Sequence, residues 1–513
     1  MNFKPGPRAI AALFLCAAAA PTWAINVSIP GIHGDVSRTL LGNGTGIIVG
    51  VIDSGMDDTH PALAGNDSLG NPRLVAEQSF VTTEPDNTGD DIFGHGTAVG
   101  SIALSNDSVY QGFVPDARYV NSRVLDSYGG FPDDAQVRNG IGFAIDHGAN
   151  VLNLSMNYFA ALSGGYTQFD LMIDWAAYAR GVSSSLSVGN ISQGPVGVDA
   201  VRDPGGAFNG LSVGRVINDL SKVSIDSAGS YTEDGRMKPD LVAPGTLITA
   251  ANSDWEGGTL WKTGLNGTSF AVPQVTGLIA QELEGGNTHG YSTDPLVIKA
   301  TIMNSATKKV LGRTFQPWAP GNMSDIAGVE TTSHPLDPQS GVGLIDGAAL
   351  ARQYLNGANE GPGLVGDIGW NLNSIVDQAT ADYTINSPLS KGDILTATLT
   401  WYRHVSRTDD GDGMVDAGDN FIQDQMLSNL DLEVLRDGVP IAASLSAVDN
   451  VEHLNLSIDQ TGQYTVRVLG STVYGSSEQY AVAWFVPEPG SVILSIWAAA
   501  FVGIGWRRFA TRS

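Results

Sequence analysis

Segments typical of buried strands alternate with segments typical of helices up to about residue 350, and this order constrains the fold most. The run GIIVGVID at residues 46–53 is almost entirely apolar, as expected of a parallel strand that is covered on both faces. Alternation of this kind predicts an α/β domain of three layers with a mostly parallel sheet. The other strand-like segments are 119–125, 151–156 and 182–190, and the helix-like segments are 94–104, 133–147 and 169–180.

After a glycine-rich segment at residues 357–369 the apolar residues recur with a period of two. Residues 395–402 alternate apolar with polar or aromatic side chains, and the same pattern returns at 430–434 and 454–458. A period of two without a helical segment predicts a separate antiparallel β-sandwich or jelly roll. We therefore expect an α/β domain at residues 25–358 and an all-β domain at residues 359–485.

The beginning of the chain has the pattern of a secretory signal peptide. Residues 1–24 combine Lys4 and Arg8 with an apolar stretch from Ala9 to Ala20 and with small residues at the end. Cleavage by signal peptidase would also remove Cys16, the one cysteine of the sequence. The exported protein would then have neither a disulfide nor a cysteine nucleophile.

Residues 486–513 contain Pro487-Glu488-Pro489, an apolar run from Ser491 to Trp506, and then Arg507 and Arg508. By itself the run predicts a marginal membrane anchor with its arginines on the cytoplasmic side. The order of motif, apolar run and basic tail resembles the PEP-CTERM sorting signal. That resemblance implies an exosortase-type sorting enzyme as a partner, membrane contact only before processing, and a final place at the envelope, at the surface or outside a Gram-negative-type bacterium.

The charge balance excludes one class of partner. The chain has 27 Lys and Arg against 53 Asp and Glu, a net charge of −26. Nucleic-acid binding requires a basic surface that can neutralise phosphates, so a nucleic-acid partner is not expected. A hydrophobic content of 42% argues against both intrinsic disorder and a polytopic membrane protein.

Three polar residues stand where α/β proteins carry their chemistry. Asp53 ends the first apolar strand, at the carboxyl edge of the predicted sheet. His95 lies between two glycines, which let the backbone and a substrate approach the imidazole closely. Ser269 precedes a helix predicted from about Pro273 through Leu283, so its hydroxyl would lie at the positive end of the helix dipole. Each residue alone also fits a turn or capping role.

Together these residues resemble the subtilisin-like serine peptidases, the subtilases. The sequences IDSG, GHGT and GTSFAVP around Asp53, His95 and Ser269 match the family one by one, in its chain order. The resemblance, over about residues 40 to 350, implies a subtilisin-like fold and a serine endopeptidase. Ser269 would be the nucleophile, His95 the general base and acid, and Asp53 the residue that orients and stabilises the imidazolium. Asn190, which follows Val188-Gly189, matches the oxyanion donor.

The same resemblance implies a polypeptide substrate that binds as an added β-strand between two segments of the enzyme. Ser155-Met156-Asn157 resembles one of these segments, and Gly129-Gly130 resembles the other. Without the resemblance they are a strand end and loop glycines. Asn157 stands where the family more often has glycine. His60-Pro61 is followed by Ala62 rather than the aspartate of many calcium-binding subtilases, so a calcium site there is expected to be missing or rearranged.

The β region has two further resemblances. Its strand order resembles the C-terminal jelly-roll domain of some alkaline subtilases. Residues 408–419 resemble an EF-hand or dockerin-type loop, with Gly413 at the sixth position and Thr408 in place of the first aspartate. We expect a structural Ca²⁺ and no cofactor for catalysis; the alternative is a solvated acidic loop. The expected calcium ligands are Asp410, Asp412, Asp416 and Asp419.

The leading hypothesis is an exported serine endopeptidase that cleaves extended polypeptides. A different hypothesis is a hydrolytically silent subtilase fold that serves as a cell-surface binding or scaffold protein through its β domain. A third keeps the enzyme but makes it a narrow processing protease. The residues at Met156 and Asn157 do not decide between broad and narrow specificity.

Overall fold

The computed structural model describes residues 23–84, 88–131, 134–162, 165–193 and 200–487. The predicted signal peptide up to residue 22 and the predicted sorting signal from residue 488 lie outside these ranges. The α-helices of the described chain are α1 (Ile25–Gly31), α2 (Gly34–Leu41), α3 (Gly96–Leu104), α4 (Ala135–Asp146), α5 (Gln168–Arg180), α6 (Val272–His289), α7 (Pro295–Ser305) and α8 (Gly347–Asn356).

The strands of the first part of the chain include a central parallel sheet. Its order is β12-β9-β7-β5-β2-β4-β3, and all six neighbouring pairs are parallel. The mostly parallel sheet expected from the sequence is thereby confirmed. The strands of this part are β1 (Trp23–Ala24), β2 (Ile48–Asp53), β3 (Leu74–Ser79), β4 (Arg118–Arg123), β5 (Val151–Leu154), β6 (Tyr158–Leu162), β7 (Ser183–Ser187), β8 (Arg202–Asp203), β9 (Leu211–Val216), β10 (Ser230–Tyr231), β11 (Met237–Lys238), β12 (Leu241–Pro244), β13 (Ile248–Ala251), β14 (Trp261–Leu265), β15 (Gly321–Ile326) and β16 (Val329–His334).

Helices cover both faces of this sheet, which makes three layers. Apolar side chains of α3 and α6 share one core cluster with Val49 and Val51 of β2. Those of α4 and α5 share a second cluster with Ile52 of the same strand. Because side chains alternate along a strand, β2 contributes to both cores and is buried from Val49 to Asp53.

Helix α6 is longer than the sequence predicts. It continues past Leu283 to His289, through Gly285 and Gly286, which would favour a stop on local grounds. Both glycines are close-packing positions: an added Cβ would lie 2.8 Å from Leu41 Cδ2 at Gly285 and 2.4 Å from the Tyr354 hydroxyl at Gly286. Packing against α2 and α8 therefore outweighs the low helix propensity of glycine.

The second part of the chain is all β, as predicted. A seven-stranded sheet with the order β15-β16-β24-β23-β26-β19-β17 faces a four-stranded sheet with the order β18-β27-β20-β25, and their side chains share one core. The pairs β16–β24 and β17–β19 are parallel, whereas an antiparallel arrangement was expected. The strands are β17 (Gly363–Val365), β18 (Ile368–Ile375), β19 (Thr380–Ile385), β20 (Ile394–Trp401), β21 (Val405–Thr408), β22 (Asn420–Gln423), β23 (Asn429–Arg436), β24 (Val439–Ser444), β25 (Val451–Ser457), β26 (Tyr464–Thr472) and β27 (Glu478–Phe485).

The two parts share both a sheet and a core across the predicted border at residue 358. The hairpin β15–β16 of the first part extends the larger sheet of the second part through β24. In the other direction, Val405, Val415 and Phe421 are buried in the core cluster of α4 and α5. The second part therefore completes the core of the first.

Within the described ranges no helix is both long enough and apolar enough to cross a membrane. The apolar run predicted as a membrane segment, residues 491–506, lies outside these ranges.

Candidate active site

The structure joins Asp53 and His95 directly. Asp53 is fully buried at the end of β2, and His95 immediately precedes α3. Asp53 Oδ1 lies 2.7 Å from His95 Nδ1, and the imidazole is 20% exposed. The same carboxylate oxygen accepts a hydrogen bond from the Ser54 amide at 2.7 Å. A buried carboxylate thus fixes one ring nitrogen of a histidine whose other edge is reachable from solvent.

A second carboxylate, not predicted from the sequence, organises the loop that carries His95. Asp91 is buried and accepts hydrogen bonds from the amides of Gly94 at 2.7 Å and Thr97 at 2.8 Å. The Ser54 hydroxyl donates to Asp91 at 2.7 Å and accepts from the Gly96 amide at 2.9 Å. An aspartate three residues before an amide that it accepts from is a turn signal that could have been found, whereas the bond to Thr97, six residues on, follows no local pattern.

Gly96 is required by the close approach of this loop to β2. An added Cβ at Gly96 would lie 2.1 Å from the Gly55 carbonyl oxygen and 3.1 Å from Asp53 Cβ. Any larger residue would push His95 away from Asp53. The second glycine of the GHGT sequence is therefore part of the geometry that makes the Asp53–His95 contact.

Electrostatics shift the protonation of this pair. Burial lowers the pKa of His95, but the charge of Asp53, the hydrogen bond to it and the charge of Asp91 together raise that pKa above its ordinary value of 6.5. Lys262 acts weakly in the opposite direction. Burial raises the pKa of Asp91, although hydrogen bonds from Thr97 and Ser54 partly offset the effect. The protonated imidazolium is thus favoured by its anionic neighbours.

Ser269 lies in a 3₁₀ turn, Thr268–Phe270, directly before α6, and is partly exposed. The ring of the next residue, Phe270, lies 5.6 Å from the ring of His95. The carbonyl oxygen of Ser269 accepts a hydrogen bond of 2.9 Å from the Ser155 hydroxyl. These contacts bring the serine, the histidine and the end of β5 to one edge of the parallel sheet.

Asn190 is placed against the residue before this serine. Its Oδ1 accepts a hydrogen bond of 3.1 Å from the Thr268 amide, which fixes the orientation of the side-chain amide. Asn190 follows β7, and β7 is the neighbour of β5 in the sheet. The Ser187 hydroxyl, at the end of β7, lies 2.8 Å from the Thr268 hydroxyl and supports the same turn.

The two predicted substrate segments flank these residues. Gly129 has φ +77° and packs on Phe93, where an added Cβ would lie 2.6 Å from Phe93 Cε1. Ser155 contacts the Ser269 backbone, as described above, and the Asn157 amide donates to the Ser187 carbonyl at 2.7 Å. The stacked rings of Phe131 and Tyr158, 5.5 Å apart, connect the ends of the two segments.

Two other predicted substrate residues, Gly130 and Met156, have structural contacts of their own, and Asn157 has a further one. The Gly130 amide donates to Asp126 at 2.9 Å, which closes the turn beside Gly129. Met156 is 5% exposed and belongs to the core cluster of α4 and α5. The Asn157 carboxamide also accepts a hydrogen bond from the Ser187 hydroxyl at 2.7 Å, so it lies on the floor between β5 and β7.

The acidic loop of residues 409–419 is held on α4. The Val415 amide donates to Asp146 and the Ala417 amide to Asn139, at 2.9 and 2.8 Å. Within the described part of the chain, three exposed carboxylates come together, with oxygens within 4.8 Å of one another: Asp409, Asp410 and Asp412.

Two of the four predicted calcium ligands, Asp410 and Asp412, belong to this group, and Asp409 was not predicted. Asp416 approaches Asp410 across Gly418, where an added Cβ would lie 2.2 Å from Asp410 and 3.0 Å from Asp416. Asp419 is buried and lies 2.6 Å from Arg407 Nε.

Comparison with known proteins matches the part of the chain that holds most of these residues to one family. The profile of the subtilase family, Peptidase_S8, matches residues 44–325. Thermitase of Thermoactinomyces vulgaris is 28% identical over 293 residues, which cover 56% of this chain and 91% of thermitase. Subtilisin DY of Bacillus licheniformis is 31% identical over 295 residues, which cover 56% of this chain and 92% of subtilisin DY. Subtilisin E of Bacillus subtilis (strain 168) is 33% identical over 240 residues, 46% of this chain and 55% of that protein.

Proposed function

The chain belongs to the subtilase family and is a serine-type endopeptidase, and from that premise we propose that Ser269, His95 and Asp53 are its catalytic triad. The observation that carries the assignment is the 2.7 Å contact between His95 and the buried Asp53. Ser269 directly precedes Phe270, whose ring lies 5.6 Å from the His95 ring. A buried carboxylate on Nδ1 leaves Nε2 as the base of the imidazole.

In this mechanism the Ser269 hydroxyl attacks the scissile carbonyl while His95 Nε2 takes its proton. A covalent acyl-enzyme forms, and His95 gives the proton to the leaving amine as the C–N bond breaks. Asp53 holds the ring in the required tautomer and stabilises the imidazolium. Water then attacks the ester with His95 as base again, and Ser269 is released.

The Asn190 amide is proposed as a donor to the oxyanion. Its Oδ1 is held by the Thr268 amide, so the NH₂ end of the carboxamide is oriented relative to the adjacent Ser269. A fixed donor stabilises the charge that develops in the transition state without reorganisation.

Replacing Asn190 tests that role. We expect Asn190→Ala to lower kcat by about 10² to 10³-fold with little change in KM, because the lost hydrogen bond forms mainly in the transition state. Steady-state kinetics on a peptide amide measures both constants. An equal kcat for the variant and the wild type would contradict the assignment.

The pH profile is a further test. Since general-base catalysis needs neutral His95 and its pKa is raised above 6.5, kcat/KM should fall as the pH decreases, with an inflection above 6.5. Activity measured from pH 5 to 9 at constant ionic strength gives the inflection. A half-maximal activity below pH 6.5 would contradict the proposed electrostatics.

We propose that the substrate is an extended polypeptide that binds between Gly129-Gly130 and Ser155-Met156-Asn157. The residues that follow the two segments, Phe131 and Tyr158, stack on each other. Backbone pairing with the two segments would hold a strand of substrate whatever its side chains. The test is digestion of unfolded casein, with a peptide-mass readout, beside Ser269→Ala. A folded protein that leaves casein intact would favour the silent binding or scaffold alternative.

For the acidic loop we propose a structural Ca²⁺ held by carboxylates of Asp410, Asp412 and Asp416. Asp410 and Asp412, together with Asp409, supply hard oxygen ligands within 4.8 Å of one another, and the missing side chain of Gly418 lets Asp410 and Asp416 approach it closely. Asp419 completes the set only if Arg407 releases it. The ion would stabilise the loop on α4, and the catalytic steps do not involve it.

Removal of calcium tests this proposal. If EDTA strips the ion, Tm should fall by at most a few degrees, since about 1 kcal/mol of binding energy corresponds to ~2–4 °C in a domain of about 150–250 residues and to less in a larger unit. Asp412→Asn should show the lower Tm without EDTA and no further response to it. Unchanged Tm and activity on chelation would contradict a bound structural ion.

We further propose that the protein is exported through residues 1–24 and sorted through residues 486–513. In this proposal signal peptidase and an exosortase-type enzyme process the two ends, and the enzyme works at the envelope, at the surface or outside the cell. The β region from residue 359 to 485 is proposed to be a jelly-roll domain. The buried Val405, Val415 and Phe421 support a stabilising role for it.

A further inference from the structure

Arg202 is the one buried arginine of the described chain whose guanidinium has no acceptor there. It is 4% exposed, and its Nη2 has no hydrogen-bond partner among the described residues. The other buried arginines all have one: Arg73 bonds to carbonyls, and Arg123, Arg215, Arg236 and Arg403 have carboxylate partners. A guanidinium remains charged in proteins, so burial without an anion is costly unless the anion comes from elsewhere.

Arg202 lies next to two segments of the proposed substrate site. Its carbonyl oxygen accepts from the Asn157 amide at 3.4 Å, and its own amide donates to the Val188 carbonyl at 3.3 Å. Its side-chain stem lies against Gly189, where an added Cβ would be 3.1 Å from Arg202 Cγ. Arg202 thus contacts both segments that flank Ser269, the one ending in Asn157 and the one ending in Asn190.

Glycine at position 189 matters for this arrangement. Gly189 has φ +110°, a backbone conformation that favours glycine, and an added Cβ would make a tight contact with the arginine stem. It directly precedes Asn190, the proposed oxyanion donor. A substrate carbonyl at Asn190 therefore places the side chain of that same substrate residue next to Gly189, between the ends of β5 and β7. The stem of Arg202 packs against Gly189 at this place.

We propose that Arg202 is a specificity-determining residue that selects substrates with a carboxylate side chain, Glu or Asp, on the residue that supplies the scissile carbonyl. The guanidinium would bind the carboxylate through two N–H groups, which neutralises the buried charge and fixes the side chain. The inference rests on the proposed function, because it needs Ser269 and Asn190 to mark the scissile bond. To that function the inference adds the class of substrate that the enzyme prefers.

The overall charge of the protein does not oppose this preference. A net charge of −26 repels an acidic substrate at long range, and salt screens that repulsion beyond about 10 Å. The contact with Arg202 is short and buried, where screening is weak. Acidic selectivity should therefore persist at 0.5 M salt, although association becomes faster as salt increases.

The experiment compares peptide amides that differ only at the residue before the scissile bond, with Glu, Gln, Leu or Lys there. We expect the wild type to cleave the Glu peptide about 10- to 100-fold better than the Gln peptide in kcat/KM, the range typical of a charge-assisted pair over a neutral one. Arg202→Met should lose this ratio and keep cleavage of the Leu peptide. Arg202→Glu should prefer Lys over Glu, a reversal that a purely structural role would not produce.

Lys262 provides a matched control. It is an exposed cation whose Nζ lies 3.4 Å from the Cβ position of Gly94, so it is also near His95. Lys262→Met should leave the Glu to Gln ratio unchanged. An equal loss of the Glu to Gln ratio in Arg202→Met and Lys262→Met would assign the preference to the overall electrostatic field of the site and overturn the role of Arg202.

The outcomes separate this proposal from the proposed function. Cleavage of the Leu peptide by the wild type without any preference for Glu or Asp would overturn the Arg202 proposal and leave the triad intact. Failure to cleave any of the four peptides or casein would contradict the proposed function itself. If Arg202→Met does not fold, the Glu to Gln ratio of the wild type and the cleavage sites in casein still decide the question.

Discussion

Ser269→Ala is expected to lower kcat by about 10⁶-fold while the protein stays folded, the largest effect of any single substitution proposed for this chain. The serine hydroxyl forms the covalent bond to substrate, and neither His95 nor Asn190 can replace it. The side chain is small and partly exposed, and its backbone carbonyl keeps the hydrogen bond from Ser155. Kinetics on a peptide amide, beside a melting curve for each protein, measures the effect.

Ser253 is the matched control for this substitution. Its hydroxyl is 2.9 Å from the Cβ position of Gly94, so it is another serine beside the His95 loop. Ser253→Ala should retain kcat within a few-fold of the wild type, since surface substitutions away from the reacting atoms have small effects. A large loss of activity in Ser253→Ala, with activity retained in Ser269→Ala, would contradict the assignment of Ser269 as the nucleophile.

Asp53→Asn is expected to lower kcat by about 10⁴-fold. Asparagine keeps the shape of the side chain but can turn its NH₂ group toward His95 Nδ1, which then must accept rather than donate. The imidazole would carry its proton on Nε2 and could not act as the base toward Ser269. The substitution also removes the charge that raises the His95 pKa, so any residual activity should have its acid inflection at a lower pH.

Asp91→Asn serves as the comparison for Asp53. Asp91 accepts from two amides of the same loop but does not contact the His95 ring, so the variant should lose much less kcat. Kinetics of both variants from pH 5 to 9 measures the difference. Equal losses would indicate that Asp53 acts only by holding the loop.

The sequence was sufficient for those parts of the fold and site that depend on local pattern. The apolar run that ends at Asp53 and the alternation of strand-like with helix-like segments predicted the central parallel sheet, and the sheet is confirmed. Helix α6, predicted through Leu283, continues past Gly285 and Gly286, which pack closely on Leu41 and Tyr354.

Features set by distant residues could not be predicted in this way. The pairing of β16 with β24 and the burial of Phe421 against Trp175 join segments that are more than 100 positions apart. No local pattern encodes such contacts. Arg202 stands between Val201 and Asp203 without a motif, and only its contact with Gly189 and Asn157 places it at the site.

The central claim, that Ser269 is an activated nucleophile, is tested most directly by labelling the purified protein with a fluorophosphonate and locating the modified residue by peptide mass spectrometry. The account predicts one modified serine, Ser269, with labelling abolished in Ser269→Ala and strongly slowed in Asp53→Asn. A folded protein that stays unlabelled, or that carries the label on another serine, would contradict it.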